Sequence, residues 1–152
     1  MKPLKWLLIL LCLWAGIAEA ASPTADWNTF TAWLGKAPST RLVGQKSLLR
    51  QPAIQAALKQ ILPKAEQAAL ARFKAEAPVA EVEGLLIVDQ CLPHNCPADM
   101  ATVVIDPANQ TVWAGFFTRE ENRVSTRWYG MTDDYSVLPE VIRKGFLERH
   151  GD

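Results

Sequence analysis

Residues 79–90 read Val-Ala-Glu-Val-Glu-Gly-Leu-Leu-Ile-Val-Asp-Gln. Polar and apolar residues alternate around Glu81 and Glu83, and the run then becomes continuously apolar at Leu85-Leu86-Ile87-Val88. Alternation marks a strand with one covered face, whereas an unbroken apolar run marks a strand buried on both. Downstream, Met100–Ile105 reads as a second strand and Thr111–Thr118 as a third. Between them, Asp106-Pro107-Ala108-Asn109 forms a turn with proline at its favoured second position. After a turn at Glu120-Glu121-Asn122 comes the cleanest alternation, Arg123–Tyr129. Val124, Thr126 and Trp128 lie on one side there, with Arg123, Ser125 and Arg127 on the other. Links this short make neighbouring strands antiparallel.

Upstream of residue 79 the apolar period changes from two to between three and four. Thr24 or Asp26 caps a predicted helix with Trp27, Phe30 and Leu34 on one face, ending near Gly35. A polar stretch with Pro38, Ser39 and Gly44 follows as a loop. From Pro52 to about Ala75, Ile54, Leu58, Ile61, Leu62, Ala65, Ala69 and Phe73 recur at helical spacing, with Pro63 kinking or splitting the run. A core-facing helix explains that stripe better than a membrane-surface or partner helix. After Gly130, an irregular acidic stretch with Asp133 and Asp134 leads to a last helix near Leu138–Arg149. Helices first and strands after predict an α+β domain: a central antiparallel sheet, a meander of about five strands, flanked by helices.

Lys2 and Lys5, the apolar run Trp6–Ile17 and Ala18-Glu19-Ala20 form a secretory signal cleaved after Ala20. The run is too short to span a bilayer, which takes about 20 apolar residues. Leu11, before Cys12, is not the small residue that lipoprotein processing uses. The chain therefore divides into a signal, residues 1–20, and one domain, residues 21–152, with no membrane attachment after cleavage and a periplasmic location. Of 152 residues, 49% are hydrophobic, and 16 basic groups balance 16 acidic ones. That composition excludes a disordered chain and gives no cationic excess for nucleic acid.

Catalysis is not expected. The chain has two histidines, one of them His150 beside the terminus, and it lacks a Gly-x-Ser-x-Gly elbow, a phosphate-cradling glycine loop and a His-Glu-x-x-His pair. No cofactor is implied. One segment still stands out, Cys91-Leu92-Pro93-His94-Asn95-Cys96-Pro97, between two strands. In an exported chain a pair such as Cys91 and Cys96 usually forms one disulfide. Three uses remain open for the segment. A redox dithiol normally has two residues between its cysteines, and here there are four. A metal site would draw on Cys91, His94, Cys96 and Asp99. A rigid loop would present one imidazole to a partner, its disulfide contributing about 2 kcal/mol of chain-entropy stabilisation. Pro93 and Pro97 would add stiffness on either side. An ordinary pinned turn with an incidental histidine accounts for the same spacing.

Cys91-Leu92-Pro93-His94-Asn95-Cys96 resembles the Cys-Lys-Pro-His-Asp-Cys loop of the Ivy family, inhibitors of vertebrate (C-type) lysozyme. The resemblance implies a periplasmic α+β protein with a central antiparallel sheet, often a homodimer, whose loop enters the lysozyme cleft. It implies a loop disulfide from Cys91 to Cys96, Pro93 as stiffener and His94 as the group that meets the two catalytic carboxylates. Leu92 stands where the family has lysine and Asn95 where it has aspartate, removing one cation and one carboxylate. Those departures fit a divergent paralogue aimed at another muramidase, and a lytic transglycosylase is the second partner the family suggests. The competing reading is a small envelope metal-binding or redox protein using Cys91, His94 and Cys96.

Overall fold

A strand that is apolar at consecutive positions needs cover on both sides, and the architecture provides it. The computed structural model describes residues 25–121, 123–130 and 138–150. The proposed signal, a cap at Thr24, the Asn122 turn position and the acidic stretch at Asp133 and Asp134 lie outside the described residues. Two helices, α1 (Pro52–Ile61) and α2 (Lys64–Arg72), precede the strands β1 (Ala75–Glu76), β2 (Ala80–Val82), β3 (Leu85–Cys91), β4 (Asp99–Asp106), β5 (Thr111–Glu120) and β6 (Arg123–Tyr129). Helix α3 (Glu140–His150) follows. All pairings between these strands are antiparallel, in the order β1-β3-β4-β5-β6, with β2 also paired to β3. The fold is therefore α+β with a central antiparallel sheet of six strands.

Register sorts the side chains into two cores. Leu86, Val88, Ala101, Val103, Ile105, Val112, Ala114 and Phe116 face Ile54, Leu58 and Leu62 of α1 and its end, together with Trp27, Phe30 and Trp33. On the opposite face Leu85, Ile87 and Val104 meet Leu138 and Ile142 of the α3 region. Phe146 of α3 stacks edge-on to Trp128 with ring centres 4.7 Å apart. A Cβ on Gly115 would lie 2.8 Å from the Trp128 ring, so this position stays glycine to let the indole cross β5. Central strands covered on both faces are the reason Leu85–Val88 shows no alternation.

Four local expectations need correction. The predicted strand over 79–90 is a hairpin, because Glu83 (φ 52°) and Gly84 (φ 80°) both take positive φ and bring Val82 opposite Leu85. Two positive φ values form the type I′ turn that suits tight hairpins, and the Glu-Gly pair was legible as such. The first helix is a 3₁₀ helix, Trp27–Trp33, capped by Asp26, whose Oδ1 accepts from the Asn28 backbone N–H at 3.0 Å. Three residues per turn bury Trp27, Phe30 and Trp33 in register, rather than Leu34. Pro63 does split the long apolar run, but α2 buries no residue fully, and Ala65 is exposed. Phe73, one residue beyond α2, carries the burial instead. Finally, the alternation of β6 is covered only in its second half, and Arg123–Thr126 are exposed at the sheet edge.

Candidate functional site

The turn between β3 and β4 is built almost entirely by its own backbone. Asn95 N–H donates to the Leu92 carbonyl at 2.9 Å, closing a four-residue turn with Pro93 second and His94 third. Proline presets the second position, and His94 takes φ 67°, as the third position of a type II turn requires. Leu92 N–H donates to the Asp99 carbonyl and Asp99 N–H to the Asn95 carbonyl, each at 3.0 Å. The Asn95 amide Nδ2 donates to the Asp99 carboxylate. Cys91 and Cys96 are joined in a disulfide with Cα atoms 5.6 Å apart, a normal span.

These restraints hold a turn that has almost no apolar support. Pro93, His94, Asn95, Cys96 and Pro97 are exposed, whereas Cys91 is buried at the strand end. Leu92 is half-buried and packs against the main core. A lysine there would have to trade that contact for solvent. Asn95 fits its position chemically, since an amide can donate to Asp99 and a carboxylate cannot. Asp99 thus closes the turn by accepting from Asn95. With both sulfurs in the disulfide, neither is a thiolate ligand, and among the described residues no three His, Cys, Asp or Glu groups are placed to hold a metal.

His94 is one of four non-glycine residues at positive φ among the described residues, with Glu83, Gln110 and Glu121. Left-handed backbone disfavours side chains with a Cβ by roughly 1–2 kcal/mol, and glycine is the common choice there. A histidine held at φ 67° and exposed stores strain that the core does not need. The sequence signal for this was Pro-His inside a short cysteine ring, where a Pro-Gly pair would have been easier to fold.

Nearby, the sheet surface under α2 carries a second polar cluster that the sequence did not single out. Arg127 Nε donates to Glu66 Oε1 at 2.7 Å and Tyr129 Oη donates to the same oxygen at 3.2 Å. The hydrogen bond to Glu66 holds the Arg127 guanidinium above its ordinary pKa, against the opposing effect of burial. The Arg127 guanidinium also lies 5.7 Å from the Phe116 ring centre. Partners on α2 and β6 are far apart in sequence, so no local motif announces them.

A family model described as inhibitor of vertebrate lysozyme (Ivy) matches residues 53–147, a span that takes in nearly all of α1, every strand, the Cys91–Cys96 turn and most of α3. The chain belongs to the Ivy family. Comparison with curated proteins gave no match. Membership supports a lysozyme-inhibitor function. The Ivy match begins after the 3₁₀ helix, so Trp27, Phe30 and Trp33 add to the core from outside it.

Proposed function

We propose that this Ivy-family protein inhibits a C-type lysozyme or a related muramidase by placing His94 in the active-site cleft. Exposure of His94 at positive φ, in a turn closed by the Cys91–Cys96 disulfide, is the observation that carries the reading. A preorganised turn loses little conformational entropy on entering a cleft. Lysozyme works with one protonated carboxylic acid and one carboxylate flanking the scissile bond. A neutral imidazole supplies one donor and one acceptor, and an imidazolium two donors. Either form can bridge the two carboxyl groups and fill the substrate position, with no chemistry by the inhibitor. Pro93 and Asn95 flank the inserted ring, while Leu92 anchors the turn to the core.

Cleavage after Ala20 and a periplasmic location complete the proposal, with a lytic transglycosylase as the second target to test and self-association into a homodimer as a further expectation. No helix among the described residues is long and apolar enough to cross a membrane. The test is an inhibition titration of both enzymes with the parent and His94→Ala. Loss of a hydrogen bond to a charged group removes about 1.5–3 kcal/mol, so inhibition should weaken more than tenfold. The melting temperature should hardly change. Equal inhibition by His94→Ala would remove the turn as the inhibitory element.

A further inference from the structure

A groove of about 1000 Å³ is bounded by the 38–50 loop, α1, α2 and β1. Five cations line it: Arg41, Lys46, Arg50, Lys59 and Lys74. All five are exposed, and none forms an ion pair among the described residues. Glu76 is the one carboxylate in the lining, and both its oxygens are occupied: Oε1 accepts from Gln90 Nε2 at 2.9 Å and Oε2 from the Ser39 N–H at 3.1 Å. The groove therefore presents concentrated positive charge in a chain whose formal net charge is zero. Charge collected in a concave wall raises the local concentration of anions.

The neutral lining narrows the ligand class. Gln55 donates its amide Nε2 to the Leu49 carbonyl at 2.6 Å, and Gln67 donates its own to the Leu62 carbonyl at 2.9 Å. Gln90 is buried and spends its NH₂ on Glu76, so the two half-buried glutamines of the wall, Gln55 and Gln67, keep amide oxygens as acceptors. An inorganic anion such as phosphate brings one or two hydroxyl donors to such acceptors, whereas a polyhydroxylated ligand brings several. Nucleic acid fits poorly, because Phe73, the aromatic in this lining, is buried and offers no stacking platform. The volume is at the upper end for a small-molecule site. We infer that this groove binds an acidic oligosaccharide, its carboxylates held by the five cations and its hydroxyls by the glutamine amide oxygens. Gln90, in the groove wall, is adjacent in sequence to Cys91, so the glycan site and the inhibitory turn spring from one strand end.

The purified protein is titrated with tetragalacturonate, its methyl ester and inorganic phosphate, followed by NMR of backbone amides. Shifts confined to the groove are expected with the acid, weakening by about tenfold for the ester and falling steeply with added salt, since exposed charges are screened. The triple variant Arg50→Gln/Lys59→Gln/Lys74→Gln should lose about tenfold in affinity, since each exposed ion pair contributes only modestly. Its melting temperature and its inhibition of lysozyme should stay at parent values, which separates this site from the His94 turn. Equal binding of acid and ester, equal binding of phosphate, or unchanged binding by the triple variant would each overturn the inference. So would the absence of groove shifts at millimolar tetragalacturonate.

Discussion

Strand β3 and the turn that leaves it are continuous in sequence and opposite in physics. Val88 and Val103, paired across β3 and β4, have no exposed surface, while Pro93 to Pro97 are open to solvent a few residues on. In the strand, stability comes from apolar area removed from water on both faces, and each side chain is fixed by its neighbours. In the turn, a disulfide and local backbone hydrogen bonds fix the shape while the Pro93 and His94 side chains stay exposed. Substitutions should therefore split by region: the sheet governs folding and the turn governs recognition.

The most severe test of that division is Phe116→Ala. Phe116 is 1% exposed, touches Phe73 and Tyr129 through edge and tilted ring contacts, and underlies Arg127. Its loss should cost about 3–5 kcal/mol in urea unfolding, with lysozyme inhibition per folded molecule unchanged. A fall in inhibition without a fall in stability would erase the division.

His94→Gly is the complementary experiment and sharper than alanine, since glycine accepts φ 67° without strain. Inhibition should drop more than tenfold while stability stays within about 1 kcal/mol of the parent, the relieved strain offsetting a looser unfolded chain. Marked destabilisation would mean that the imidazole supports the fold.

A smaller effect is expected from Asn95→Asp. It restores the family residue yet sets two carboxylates against each other, because Asp99 already faces position 95. Exposed charge pairs are worth up to about 1 kcal/mol, so inhibition should weaken about threefold and recover in Asn95→Asp/Asp99→Asn. Stronger inhibition by the single variant would show that the carboxylate meets the enzyme rather than Asp99.

The smallest effect concerns alkaline pH. Burial first, and then the Glu66 carboxylate, raise the Tyr129 phenol above its ordinary value of 10.0, with Arg127 opposing. The folded protein holds this proton where the unfolded chain releases it, so the contribution is complete below pH 10 and is lost as pH rises through the folded value. Tyr129→Phe should flatten the decline in unfolding midpoint between about pH 9 and 11. An identical decline in both proteins would reassign the proton to another group.

Much of this was legible in the residues themselves. Unbroken apolar character at Leu85–Val88, alternation at Arg123–Tyr129, the break at Pro63 and the cysteine ring each rest on local geometry, which a short sequence window contains. Other features depend on what arrives from elsewhere in the chain. Trp33 rather than Leu34 is buried because a tight 3₁₀ turn aligns every third residue and lets the indole N–H donate to the Thr40 carbonyl at 2.8 Å. Glu66 acquires its purpose only when Arg127 and Tyr129 are brought beneath α2 by β6. The five cations of the groove are scattered from Arg41 to Lys74 and become one surface only once the loop and both helices pack around β1. Sequence by itself determined the periods, the breaks and the ring that closes the turn, because these are set between neighbours along the chain. Tertiary structure alone decided which residues share a face, a charge or a cavity, because long-range packing selects among faces that local propensity leaves equivalent.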